Sequence, residues 1–243
     1  MMAKEKRMAS ALKDALEDLL RCRRLQADEP LLRGEDPRGR ALPTGIAGLD
    51  DLLLGGFPRG QISEVHGACS SGRTALVLAL VARLTRAGSL VAWVDPGDRL
   101  DPASAANAGV HLARLLWLRG ERRGRGTGAL LPAVSAVGTL LGSGLFEAVV
   151  FDLAGIAAAA RQRLPGTTWI RLQRLIEDQP SALVLIADGH VSHGPGGAAL
   201  ALKAAAPRWS GTAPARLLRG VGAEVREARR GLRGATVELQ ACS

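Results

Sequence analysis

Ile62-Ser63-Glu64-Val65-His66-Gly67-Ala68-Cys69-Ser70-Ser71-Gly72-Arg73-Thr74 decides the fold. An apolar run runs straight into a Gly-Ser turn and then into Ala75-Leu76-Val77-Leu78-Ala79-Leu80, which has helical character. Gly67 to Thr74 has the spacing of a phosphate-binding loop, and its setting between a strand and a helix is the one that gives such a loop meaning. In that loop, backbone N–H groups wrap phosphate oxygens, a Lys reaches the outer phosphates, and a Ser or Thr hydroxyl helps hold Mg²⁺. Gly67, Ser70, Ser71, Gly72 and Thr74 fit, while the Lys position holds Arg73. A planar guanidinium binds phosphate well but is too bulky simply to replace a compact ammonium in a tight loop. The residues therefore commit to no cofactor, and leave open weak binding of ATP and Mg²⁺. A plain Gly-Ser turn between strand and helix is the alternative.

Outward from the loop, the signals alternate. Gln61 to His66 reads as a strand, Thr74 to Ala87 as a helix and Ser89 to Asp95 as a second strand. A helix is expected from about Thr127 to Leu141, and Ala148 to Phe151 is apolar on both faces, as buried parallel strands are. A helix from Trp169 to Asp178 and a strand from Ala182 to Ile186 follow, then a Gly-rich loop from Gly189 to Gly197. The basic C-terminal segment keeps only residual strand character, over Ala223 to Arg226 and Ala235 to Leu239. This rhythm specifies an α/β fold, a twisted and mostly parallel sheet flanked by helices. Asp152 follows the strand at Ala148 and is placed to orient Mg²⁺ beside the loop.

Upstream, Leu12, Leu16 and Leu19 form the stripe of an amphipathic helix over residues 1–27. A Pro, Gly and charge-rich linker occupies 28–43, and the core domain spans 44–243. The helix stripe suits packing on its own domain or on another protein.

The 243 residues are 47% hydrophobic and 23% charged, enough to bury one core and too apolar for a disordered chain. Aromatic residues make up 3%, with no Tyr, so stacking platforms for single-stranded bases are nearly absent. Cys22, Cys69 and Cys242 form no C-x-x-C pair, which argues against a disulfide framework and for a reducing compartment. No secretory leader or membrane span is expected, and the localisation expected is cytoplasmic and nucleoid-associated. His190 and His193 are three apart, with no third ligand evident nearby, so no metal site is assigned.

A formal net charge of +9, carried by 28 Arg and 4 Lys, favours polyanionic or acidic partners. Arg114, Arg119, Arg122, Arg123 and Arg125 form a Gly-rich basic loop, and Arg216, Arg219, Arg226, Arg229, Arg230 and Arg233 a basic C-terminal segment. Phosphate contacts, salt bridges to an acidic partner and a solvated Arg-rich surface all remain open for them.

Several segments together bear a resemblance. Leu42-Pro43-Thr44-Gly45, Gly48-Leu49-Asp50, Leu54 to Gly60, Ile62 to Gly67 and Ser70-Ser71-Gly72 are similar to the opening of the RecA recombinase core. Trp93-Val94-Asp95, Leu100-Asp101-Pro102 and Gly109-Val110 continue it in order. The resemblance implies a RecA-like phosphate-loop core with an N-terminal helix directed at an adjacent protomer or at RecA. It places Arg161 and Arg163 in a first DNA loop, and Arg229-Arg230 among the cationic residues near the last core strands. It also exposes departures. The family's water-activating Glu is here Gly97, next to Asp98, and the Asn-Gln that senses the γ-phosphate is Asp188-Gly189. The loop from Gly189 to Gly197 is short where RecA carries a longer DNA-binding loop, and the chain closes at Ser243 soon after the core.

A short chain of this kind resembles the ImuA family. That resemblance implies a non-catalytic accessory role in damage-induced (SOS) translesion synthesis and mutagenesis. The implied partners are RecA, an inactive Y-family polymerase homologue and an error-prone replicative-type polymerase, with DNA contact and self-association left open. Two other readings stand beside it: a DNA-dependent ATPase in which Arg73 and Asp98 take over the missing roles, and a cell-division inhibitor with a RecA-like core.

Overall fold

The structure is a computed structural model, and it describes residues 14, 18, 41–120, 130–177, 179–192, 196–212, 215–227 and 233–240. Leu12, Leu16 and Leu19 of the N-terminal helix, Arg122, Arg123 and Arg125, and Arg229 and Arg230 lie outside the described residues, as does His193. Asp14 and Asp18 are helical and exposed.

The described elements run β1 (Ala41–Leu42), α1 (Ala47–Leu52), β2 (Phe57–Pro58), β3 (Ile62–Gly67), α2 (Arg73–Arg86), β4 (Val91–Asp95), α3 (Pro102–Asn107), β5 (Leu115–Arg119) and α4 (Leu130–Ser143). Then come β6 (Ala148–Asp152), α5 (Ala158–Arg161), α6 (Thr167–Ile176), β7 (Ala182–Ala187), β8 (Ala199–Ser210), β9 (Leu217–Glu227) and β10 (Arg233–Gln240). Eight strands form one sheet in the order β10-β9-β8-β3-β7-β6-β4-β5. Pairing is parallel from β8 through β5 and antiparallel in β8-β9-β10. The α/β fold expected from the sequence, with a mostly parallel sheet between helices, is the one observed.

Alternation in the central strands explains the layers. Successive side chains of a strand point to opposite faces. Val91, Trp93, Ala148, Val150, Ala182, Val184 and Ile186 therefore fall in the cluster that also takes in Leu76, Leu80 and Val81 of α2. Their neighbours Ala92, Val94, Val149, Phe151, Leu183 and Leu185 join Val137, Leu140 and Leu141 of α4 and Leu172 and Ile176 of α6. Because both faces are covered, these strands carry no polar alternation, which is why they read as continuous apolar runs.

The C-terminal third differs from expectation. The residual strands of the sequence reading are a long antiparallel ribbon, with β8 wholly unforeseen and β9 extending from Leu217 to Glu227. Their Ala, Gly, Arg and Pro content has low strand propensity, and long-range pairing on the parallel core supplies what propensity lacks. Ala204/Pro207 and Arg208/Trp209 mark register shifts along β8.

A side-chain clamp secures the segment leading into the core. Asp50 accepts hydrogen bonds from Thr44 N (2.7 Å), Thr44 Oγ1 (2.7 Å) and Gly45 N (3.0 Å). Asp50→Ala removes all three hydrogen bonds, and a loss of about 1–2 kcal/mol in urea unfolding is the expected result. An unchanged midpoint would mean the clamp is dispensable.

Candidate functional site: a phosphate loop closed by its own arginine

Parallel β3, β7, β6 and β4 end on the same edge of the sheet, and a ligand of such a sheet binds at that edge. Gly67 closes β3, Asp152 closes β6, Asp95 closes β4, and Asp188 follows β7 directly. The topology thereby brings residues distant in sequence to one place. Ser70, Gly72, Arg73, Thr74 and Asp152 line one cleft of about 530 Å³, together with Arg99.

The loop itself has the tight backbone that its sequence requires. Gly72, φ 91°, leads into α2, and Ser70 is a rare non-glycine residue at positive φ, 61°. A Cβ at Gly67 would lie 2.4 Å from Leu202 O of β8 and 2.6 Å from Ser71 Oγ. The first glycine is thus needed for packing against β8, whatever the loop binds.

Arg73 decides what the loop can do. Its side chain is only 7% exposed and turns back into the loop, where Nη1 donates to Gly67 O and, at 3.2 Å, to Ala187 O. Nη2 pairs with Asp188 Oδ1 at 2.6 Å. Asp188 is fixed in turn by Gly155 N, which donates to its Oδ2 at 2.8 Å. The guanidinium that would meet phosphate is therefore already neutralised by a carboxylate and shared between two strand-end carbonyls.

The acids nearby are also internally engaged. Asp95 is fully buried, and its Oδ2 accepts from Arg99 N (2.7 Å), Leu100 N (2.8 Å) and Trp117 Nε1 (3.3 Å), while its Oδ1 is buried without a hydrogen-bond partner. Asp152 accepts from Ala154 N at 2.9 Å. Burial pushes its carboxyl up to about 6, and the Asp95 charge adds to this against the opposing hydrogen bond and the pull of Arg73 and Arg99.

Arg99 is the site residue that sequence reasoning missed. Its guanidinium lies against Gly155, with Nη1 1.8 Å from the position a Cβ there would take, and it is close enough to favour the ionised form of Asp152. Its only sequence signal is its place between Asp98 and Leu100.

Asp98, one residue beyond the vacant general-base position, is bound by Arg119 through Nε (2.8 Å) and Nη2 (3.0 Å). The Arg119 guanidinium also stacks over Trp117, 4.4 Å from its ring centre. At the start of the expected basic loop, Arg114 donates to Gly88 O at 2.6 Å and Arg119 ends β5 in the Asp98 pair. Arg161 ends α5 with Nη1 buried and unpartnered, and Arg163 is exposed just beyond it, both in the connection from β6 to α6. Neither is among the residues lining the phosphate cleft.

These features define a phosphate-loop α/β protein whose loop is filled by its own side chain. The profile of the RecA N-terminal domain matches residues 30–164, and the chain belongs to that family. Protein RecA of Paenarthrobacter aurescens (strain TC1) is 38% identical over 122 residues, 49% of this chain and 33% of that protein. Protein RecA of Acidothermus cellulolyticus is 40% identical over 112 residues, 46% of this chain and 30% of the relative. Protein RecA of Prochlorococcus marinus (strain MIT 9303) is 38% identical over 115 residues, 47% of this chain and 28% of the relative. The aligned stretch thus spans about a third of these relatives. Among the described residues, no helix is long and apolar enough to cross a membrane.

Proposed function

We propose that this chain is a non-catalytic RecA-like accessory protein of damage-induced translesion synthesis, acting by contact with RecA, polymerase subunits and DNA. The observation that supports it is the Arg73–Asp188 pair at 2.6 Å, which fills the loop that a catalytic relative would give to phosphate. Gly97 at the general-base position supports it further, since glycine has no group to take a proton. The DNA-dependent ATPase reading needs Asp98 aimed at an attacking water, and Asp98 is instead committed to Arg119.

In this reading the scaffold is kept as a docking body. Its contacts come from the N-terminal helix stripe Leu12, Leu16 and Leu19, and from Arg122, Arg123, Arg125, Arg161, Arg163, Arg229 and Arg230. Co-purification of the tagged chain with RecA, with an inactive Y-family polymerase homologue or with DNA is the direct test. Capture of at least one, weakened at least about tenfold when residues 1–27 are deleted, is expected, a change of about 1.4 kcal/mol. Retention of none of the three removes the proposal.

A further inference from the structure

Glu64 and His66 stand two apart on β3 and so share a face, and β7, the neighbour of β3, delivers His190 from the loop beyond its end. The sequence showed His190 only beside His193 and lacked a third group. The sheet supplies two, from a strand far away in the chain. One donor atom from each of Glu64, His66 and His190 lies within 4.8 Å of the others. The two imidazoles are tilted, 5.8 Å between ring centres.

The carboxylate is built in, and its orientation is fixed. Glu64 is fully buried; Oε1 accepts from Val191 N (2.7 Å), and Oε2 from Ser192 N (3.0 Å) and Ser192 Oγ (2.7 Å). Outer hydrogen bonds of this kind orient a metal-ligating carboxylate. His190 Nδ1 approaches Oε2 at 3.1 Å. A buried carboxylate needs a compensating positive charge.

We infer that Glu64, His66 and His190 form a binding site for a divalent cation of the zinc class, which joins the loop after β7 to the end of β3. Two nitrogens and one carboxylate oxygen suit zinc, cobalt or nickel and not magnesium or calcium. Donors around such an ion lie about 3.3 Å apart at zinc–ligand distances of about 2.0–2.2 Å, so the three donor atoms need to close by no more than roughly 1.5 Å. The side chain of His190, 41% exposed, has room to rotate. The cation takes the place of the proton between His190 and Glu64, and solvent completes the coordination on the exposed side. The site shares no residue with the Arg73–Asp188 pair and does not depend on the accessory role.

The full-length protein, stripped with EDTA, is titrated with cobalt(II) at pH 7.5 and read by visible absorption, then back-titrated with zinc(II). One equivalent of cobalt is expected to give visible bands without a thiolate charge-transfer band, to be displaced by zinc, and to be lost below about pH 6 as protons compete. His66→Ala and His190→Ala each weaken binding about 100-fold or more, and His111→Ala leaves it unchanged. Far-UV circular dichroism separates ligand loss from unfolding, and the wild-type titration stands without any variant. No visible band in the wild type overturns the site, and so does a band that survives the His66→Ala/His190→Ala double substitution.

Discussion

Asp152→Asn stabilises the protein at pH 8 by about 3 kcal/mol, and the gain disappears as the pH falls toward 4. The folded carboxyl titrates at about 6 and the ordinary carboxyl at 3.8. Below 3.8 both states hold the proton and the burial of Asp152 costs nothing through ionisation. As pH rises toward 6 the unfolded chain releases its proton first, so the folded state loses about 1.4 kcal/mol per pH unit over that window. Asparagine keeps the shape without the charge. Urea unfolding of both proteins at pH 4, 6 and 8 measures this, and a variant no more stable than wild type at pH 8 contradicts it.

The second large effect concerns the pair that fills the loop. Removing one partner of a buried pair costs about 3–5 kcal/mol, reduced here to about 1–3 because Asp188 is 40% exposed and its charge is partly screened. Asp188→Ala shows this loss, since Arg73 is left buried beside two carbonyls. Arg73→Met loses less, because Asp188 can rehydrate and keeps the Gly155 N–H. Added phosphate or ATP should raise the melting temperature of Asp188→Ala by giving the freed guanidinium an anion, and should leave wild type unchanged. A wild-type melting temperature that rises with ATP while that of Asp188→Ala does not would show a loop open to nucleotide.

The parts of the fold legible in the sequence share a cause. β4, β6 and β7 are buried on both faces, and α2 follows a glycine turn of fixed spacing, so their residues carry the pattern locally. Observed ends fall within a few residues of the expected ones: Val91 against Ser89 for β4, Leu130–Ser143 against Thr127 to Leu141 for α4, and Thr167–Ile176 against Trp169 to Asp178 for α6. The ribbon β8-β9-β10 was only partly legible, since its pairing is decided by distant partners.

The site divides in the same way. Gly67 to Thr74 and Asp152 are legible because spacing and strand ends place them. That Arg73 folds inward is not, because Asp188 reaches it only through the adjacency of β3 and β7 in the sheet. Glu64, His66 and His190 depend on the same adjacency. Asp98 was a candidate base by chain position alone, and Arg119, brought alongside by the β4–β5 pairing, forms an ion pair with it.

The phosphate loop of this RecA-family scaffold is closed from within by Arg73 and Asp188. ATP binding and turnover by the purified protein test this closure, with and without single-stranded DNA, with Arg73→Ala and Asp152→Ala as controls. The structure predicts no turnover above background in any of the three proteins, with or without DNA. DNA-stimulated phosphate release by wild type, abolished by both substitutions, would contradict it and show a rearranged but working ATPase site.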